Sequence, residues 1–240
     1  MDMVFLHGAA DSGAVWERQV QHFSARHRVL ALDLPGHGDR LAETPITSVE
    51  AYVGEVLAAV RAHGFDRPAL IGHSMGGAAV LLAALDHPEA ASALVLVGTG
   101  ARLRIRPDLI EAARQVAESS PPSAIVDRLV TLDEAVSPTA PREVRDWLRA
   151  RFGRATGRAV YGDFLATSGF DVMGRLGEIQ LPTLIVAGEE DRWTPPKFQE
   201  YLERSIAGSA RIMFADTGHY PFVERSERFN AELDRFLERL

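Results

Sequence analysis

Gly72-His73-Ser74-Met75-Gly76-Gly77 stands where a short apolar run, Ala69 to Gly72, gives way to a helical one, Gly76 to Asp86. A serine held on a tight strand-to-helix turn needs backbone dihedrals that ordinary residues avoid. Its neighbours two before and two after must be Gly or very small for the turn to close. Gly72 and Gly76 meet that requirement. The helix that follows points its first N–H groups at the serine, and the N–H of Met75 is placed to stabilise an oxyanion. Gly-rich turns of this shape also occur without any such role, so the weight of the motif depends on its surroundings.

Upstream, Met3 to Leu6 is a short apolar run ended by His7-Gly8, and Arg28 to Leu34 is another, closed by Pro35-Gly36-His37-Gly38. Between them Val15, Trp16, Gln19, Val20 and Phe23 recur at helical spacing. A helix is expected from Ser48 to His63, with Gly64 as its stop, and Ala93 to Val97 reads as a strand buried on both faces. The alternation of strand and helix predicts a mostly parallel α/β sheet with helices on both faces. From about Thr99 to Leu181 the pattern changes to helices alone: Pro107 to Glu118, Ser123 to Val130, Pro141 to Phe152 and Arg158 to Ala166. This stretch, 99–181, reads as a helical lid inserted between strands of a core formed by 1–98 and 182–240. The α/β pattern resumes with strand Thr183 to Ala187, helix Pro196 to Ile206, strand Ala210 to Phe214 and a closing helix from about Arg225 to Leu240.

A chain of 240 residues, 46% hydrophobic, can bury a core of its own, which excludes disordered and disulfide-stapled classes. Its net charge of −7, with basic residues scattered among acidic ones, shows no footprint for a phosphate backbone, so nucleic acid is not expected as a partner. With no cysteine there is no thiolate nucleophile and no thiolate metal site. No stretch reaches 18 uninterrupted apolar residues and Met1 to Gly13 lacks the pattern of a secretion signal, so the expectation is a cytoplasmic protein with no membrane partner.

A serine is a poor nucleophile at neutral pH and needs a base, which the chain could draw from eight histidines. His219, in Asp216-Thr217-Gly218-His219, follows the last strand at the sheet edge where open α/β folds place their sites. His22, His27, His63 and His87 fall on or beside helices and read as solvated surface residues, and His37 reads as an organiser of turn hydrogen bonds. His73 directly precedes the serine and is expected to point away from it, as a packed and hydrogen-bonded core residue. The imidazole needs a carboxylate to fix its tautomer. Gly188-Glu189-Glu190-Asp191-Arg192-Trp193 supplies three candidates, and Asp216 is a fourth. The order serine, acid, histidine along the chain is that of one known triad arrangement.

These segments together, with Phe5-Leu6-His7-Gly8-Ala9 and Asp33-Leu34-Pro35-Gly36-His37-Gly38, resemble the α/β-hydrolase superfamily, in the branch of small lidded serine carboxylesterases. The resemblance covers essentially the whole chain. It implies that Asp191, three residues after Gly188, is the triad acid, and that Ala9 supplies the second oxyanion N–H. Relatives of this kind usually carry two strands ahead of the His-Gly segment, so a shorter sheet of about six strands is expected, with one edge exposed or covered by a partner. Serine at the elbow sets the chain apart from the haloalkane dehalogenase and epoxide hydrolase branches, which use Asp there. His73 resembles the esterases and lipases more than the carbon-carbon bond hydrolases, which tend to carry Asn.

The implied activity is hydrolysis of short to medium acyl esters of a small-molecule substrate through an acyl-enzyme, with no metal and no cofactor. Lactonase, thioesterase or carbon-carbon hydrolase chemistry on the same triad, or a slow ligand-binding receptor, are the alternatives. Trp193 and Tyr220 flank the triad positions and are expected to line the pocket. Leu103, Ile105, Trp147, Phe152, Tyr161, Phe164, Leu165, Phe170 and Met173 give the lid an apolar character, and Phe164 is the one singled out for substrate contact.

Overall fold

Six strands carry the fold: β1 (Asp2–Leu6), β2 (Arg28–Leu32), β3 (Ala69–His73), β4 (Ala93–Val97), β5 (Thr183–Gly188) and β6 (Ala210–Phe214). In the computed structural model, which describes residues 1–119, 132–151 and 154–240, they form one sheet in the order β2-β1-β3-β4-β5-β6 with every neighbouring pair parallel. The inner strands are near-continuous Val, Leu, Ile and Ala because both their faces are buried. The edge strand β2 is exposed or half-buried at all positions but Leu32.

Successive residues feed opposite faces. Met3, Phe5, Ile71, Val95 and Val186 share a cluster with Trp16 of the turn Gly13–Trp16, with Phe23 of α1 (Glu17–Phe23) and with Phe229 of α10 (Ser226–Leu237). Val4, Leu6, Leu70, Leu96 and Ile185 meet α2 (Val49–Ala62), α3 (Met75–Asp86) and α8 (Pro196–Ser205) through Tyr52, Val80 and Leu202. Trp16 stacks on Phe222 with ring centroids 3.9 Å apart. Each such fully buried aromatic contributes roughly 1.5–3 kcal/mol from apolar burial alone.

Between β4 and β5 lie α4 (Pro107–Ser119), α5 (Leu132–Ala135), α6 (Arg142–Arg151) and α7 (Gly157–Gly169). Strand geometry among the described residues of this stretch is confined to two single bridges, His37 with Ala155 and Arg102 with Asp171. The helix expected over Ser123 to Val130, and Phe152, lie outside the described residues. The inserted helices do not form a separate core: Ala113, Val116, Leu148 and Val160 join the cluster of Phe5 and Trp16, while Phe170 and Val172 join that of Leu70. The closing helix expected from Arg225 is preceded by a four-residue turn of helix, α9 (Pro221–Glu224), broken at Arg225. No described helix is long and apolar enough to cross a membrane.

Candidate active site

The chain runs from β1 outward to β2, then returns to β3 on the other side of β1, so the loops after β1 and β3 diverge at the reversal point where open α/β sheets open a crevice. The loop after β1 carries His7 to Asp11 and the turn after β3 carries Ser74. They touch: a Cβ placed on Gly8 would stand 3.3 Å from Ser74 Cβ and 2.9 Å from His73 Nδ1, so only glycine lets the two segments approach this closely.

Ser74 has φ 52° and ψ −116°, left-handed backbone that costs a non-glycine residue about 1–3 kcal/mol. The elbow holds it there. Ser74 N–H donates to Val97 O at 2.9 Å, and Ser74 O accepts from Ala78 N–H at 3.1 Å and from the Thr99 hydroxyl at 2.8 Å. A Cβ on Gly76 would meet the carbonyls of Leu6 and His7 at 2.5 Å, and one on Gly72 would collide with Gly76 O. Ser74 is half-buried, and the N–H groups of Met75 and Ala9 donate to no acceptor among the described residues.

His219 and Asp191, carried by the loops after β6 and β5, are both buried, and His219 Nδ1 donates to Asp191 Oδ2 at 2.8 Å. The Asp191 carboxylate also accepts Trp193 N–H and Thr194 N–H on Oδ1, each at 2.9 Å, and the Thr194 hydroxyl on Oδ2 at 2.6 Å. With Oδ2 turned to Nδ1, the imidazole proton sits on Nδ1 and Nε2 keeps its lone pair. Ser74 Oγ and His219 Nε2 share no hydrogen bond in this structure; such bonds commonly tighten when substrate binds.

The backbone of His219 is pinned at both ends. Its N–H donates to Ala135 O of α5 at 2.6 Å, and its carbonyl accepts His73 Nε2–H at 2.9 Å. His73 Nδ1 is buried with no partner among the described residues, and burial, reinforced by His219, drives the His73 pKa well below the ordinary value. His73 is therefore neutral, with its one proton committed, which suits a packed core histidine and not a base. Glu224 completes the clamp: its carboxylate accepts Gly218 N–H, Tyr220 N–H and, from the segment after α5, Ser137 N–H at 2.8 Å. Burial raises the pKa of Glu224 despite these donors.

Of the side chains expected to line a pocket, Trp193 is half-buried with its ring 5.0 Å from that of His219. Tyr220 and Phe164 are buried, at 1% and 5% exposure, and belong to the cluster of Phe5 and Trp16. Tyr220 packs against His73 and its hydroxyl meets Asp11 Oδ2 at 3.1 Å, so it supports His219 from below. Thr194, Glu224, Asp11 and Asp163 are the site groups that the sequence reading did not single out. The acids stand alone among apolar or loop residues, in Val160 to Ala166 and in Tyr220 to Glu224, and an isolated acid in an apolar run is the signal that marks them. Among the described residues no three His, Asp or Glu side chains are grouped to hold a metal ion.

Burial pushes the pKa of Asp11 up to about 8, with Tyr220 and His37 opposing. The sign follows from linkage. Below about pH 4 the carboxyl is protonated whether the chain is folded or not; from there to about 8 only the folded chain keeps its proton, so stability falls as pH rises through that window and then levels off. The Tm of the wild type is therefore expected to drop relative to Asp11→Asn between about pH 4 and about pH 8. A difference between the two proteins that stays constant with pH would mean that Asp11 is ionised in the folded state.

A model of the alpha/beta hydrolase family matches residues 3–232. The chain belongs to the alpha/beta hydrolase family. Among the relatives of this alpha/beta hydrolase, a pimeloyl-[acyl-carrier protein] methyl ester esterase of Aliivibrio salmonicida is 28% identical over 253 residues, covering 99% of this chain and 92% of the relative. Two solved structures share the fold. An esterase from Thermogutta terrifontis superposes with a TM-score of 0.89 at 24% identity, over 100% of this chain and 90% of the other. The enol-lactonase from Burkholderia xenovorans LB400 gives 0.88 at 24% identity, over 99% and 91%.

Proposed function

We propose that this alpha/beta hydrolase is a serine carboxylic-ester hydrolase for short to medium acyl esters, with Ser74 as nucleophile, His219 as general base and Asp191 as its orienting acid. The observation that carries the reading is the buried Asp191–His219 pair at 2.8 Å, together with a serine held in a strained elbow. A structural role alone explains neither the backbone strain nor a carboxylate saturated with donors so as to present one oxygen to Nδ1.

In this mechanism His219 Nε2 takes the Ser74 proton as Oγ attacks the ester carbonyl, and the N–H groups of Met75 and Ala9 receive the oxyanion. Asp191 stabilises the imidazolium, which protonates the departing alkoxide. Water, activated by the same imidazole, then releases the acid and restores Ser74. Trp193, half-buried with its ring 5.0 Å from that of His219, is the side chain assigned to touch the acyl or alcohol group. The name of the Aliivibrio relative specifies a methyl ester on a carrier-bound acyl chain, which adds small-alcohol esters of medium acids to the substrate class proposed here.

The test is a series of p-nitrophenyl esters, acetate through palmitate, with dimethyl pimelate as a small-alcohol ester and Ser74→Ala measured in parallel. Turnover that peaks at short or medium chains and vanishes in the variant is the expected result. Hydrolysis no faster than the variant with any ester would overturn the proposal in favour of a carbon-carbon hydrolase or a receptor.

A further inference from the structure

Asp163 is the odd residue of α7: a carboxylate with no exposed surface, in the middle of an apolar helical run, reaching across to three groups of the sheet domain. Its Oδ2 accepts Ala10 N–H at 2.8 Å and His37 Nε2–H at 3.0 Å, and its Oδ1 accepts the Tyr52 hydroxyl at 2.6 Å. The other His37 nitrogen, Nδ1, lies 3.1 Å from Pro35 O. Both ring nitrogens face acceptors, so both carry protons and the ring is an imidazolium paired with Asp163. His7, with its ring centroid 4.9 Å from that of His37, is neutral for the complementary reason: Nδ1–H donates to Gly8 O at 2.8 Å while Nε2 accepts Leu34 N–H at 3.2 Å.

These contacts converge on the peptides flanking Ala9. Gly8 O and Ala9 N–H belong to one planar peptide, so holding the carbonyl aims the N–H in the opposite direction. Two donors hold that carbonyl, His7 Nδ1–H and, at 3.3 Å, Asp11 N–H. The next peptide is fixed by Asp163 through Ala10 N–H, and Ala10 sits at φ 62°, a left-handed conformation that alanine keeps only when its surroundings enforce it. The enforcing carboxylate comes from the inserted helix.

We infer that Asp163 is a positioning residue for the oxyanion hole, fixing the Ala9–Ala10 peptide so that the Ala9 N–H is correctly aimed only while α7 is seated on the sheet domain. The inference rests on the proposed role of Ala9 N–H as an oxyanion donor. It makes the inserted helix part of the catalytic apparatus through a hydrogen bond to backbone, with no contact to substrate required.

The test separates geometry from mere stability by using phenylboronic acid, whose boron takes the Ser74 oxygen to give a tetrahedral anion, the proton passing to His219. For Asp163→Ala, kcat is expected to fall roughly 100-fold, and the boronate Ki to rise in step, with KM changed by less than about threefold. Asp163→Asn, which keeps an acceptor for Ala10 N–H but loses the charge, is expected midway, with a loss of roughly 10-fold. Tyr52→Phe removes the Oδ1 contact, with the hydroxyl's longer one to Ile46 O, but leaves the Oδ2 bond to Ala10 N–H, and is expected to lower Tm while leaving Ki alone. A folded Asp163→Ala with kcat and Ki within about twofold of wild type, or a Tyr52→Phe that shifts Ki as far, would overturn the inference. If Asp163→Ala does not fold, the isosteric Asp163→Asn decides, and a Ki equal to that of wild type counts against it. Wild-type turnover no greater than that of Ser74→Ala is a different result, since it removes the esterase reading itself.

Discussion

Ser74→Ala and His219→Ala are each expected to reduce kcat by roughly a million-fold on the best ester, and the double variant to be no slower than either single one. The reason is that the two side chains act in one step of the proposed mechanism. Without His219 Nε2 to take the proton, the hydroxyl of Ser74 is a weak nucleophile; without Ser74 there is nothing for the base to activate. What survives is the acceleration from the Met75 and Ala9 N–H groups and from substrate binding, about a thousand-fold or more over water. Rates that multiplied, with the double variant far slower than both singles, would show the residues working independently and would dismantle the proposed triad. Circular dichroism controls are simple to interpret here, because Ser74 is half-buried and its side chain makes no hydrogen bond to a described residue.

Asp191→Asn is expected to cost about 10,000-fold in kcat while leaving the fold intact. The local geometry dictates how. Oδ1 of Asp191 accepts the N–H groups of Trp193 and Thr194, so in the variant the amide oxygen takes that position and the NH2 is turned toward His219. An NH2 facing Nδ1 demands a lone pair there, which moves the imidazole proton to Nε2, the nitrogen that must accept from Ser74. The Thr194 hydroxyl, 2.6 Å from Oδ2 and 3.4 Å from Nδ1, is free to turn and accept from the new NH2, which makes the wrong tautomer comfortable. NMR of the His219 ring nitrogens in the two proteins checks this directly: the proton should migrate from Nδ1 to Nε2. Retained activity within about tenfold would mean that another acid orients the ring.

The strands were the most legible part of the chain. β4 and β6 have the bounds read from sequence, because a buried parallel strand is an apolar run cut off by turn residues at both ends. β2 stops two residues short of the expected Leu34, and the cause is tertiary: Leu34 N–H leaves the ladder for His7 Nε2, and the Asp33 carboxylate accepts Gly13 N–H. Arg225 interrupts the closing helix for a related reason, since Glu224 just before it is drawn into the turn that holds His219. Ser74 and His219 are candidates because each sits in a short segment at the end of a strand, whereas Asp191 is singled out from its acidic neighbours by the family resemblance alone. For Asp163 and Glu224 an isolated acid in an apolar run marks the residue but not its role, because partners that define the role lie far away in the chain: Ala10 is 153 positions from Asp163 and Ser137 is 87 from Glu224. Tyr220 and Phe164 illustrate the converse. Their aromatic character suggested a pocket wall, and their packing against His219 and within the shared core is not legible from that character.

The clamp from Ala135 and Ser137 onto the His219 loop bears on how substrate range in such an enzyme could be re-engineered or could have diverged. Swapping the whole inserted region for that of a relative, in order to import its specificity, would also replace the segment whose Ala135 carbonyl accepts His219 N–H and whose Ser137 N–H donates to Glu224. A chimera that ignores this would disturb the His219 loop, and with it the proposed base, along with the inserted helices. Grafts that retain 135–137 and Asp163 and vary the residues between them keep the contacts to His219, Glu224 and Ala10, so that the rest of the inserted region could diversify at its own rate.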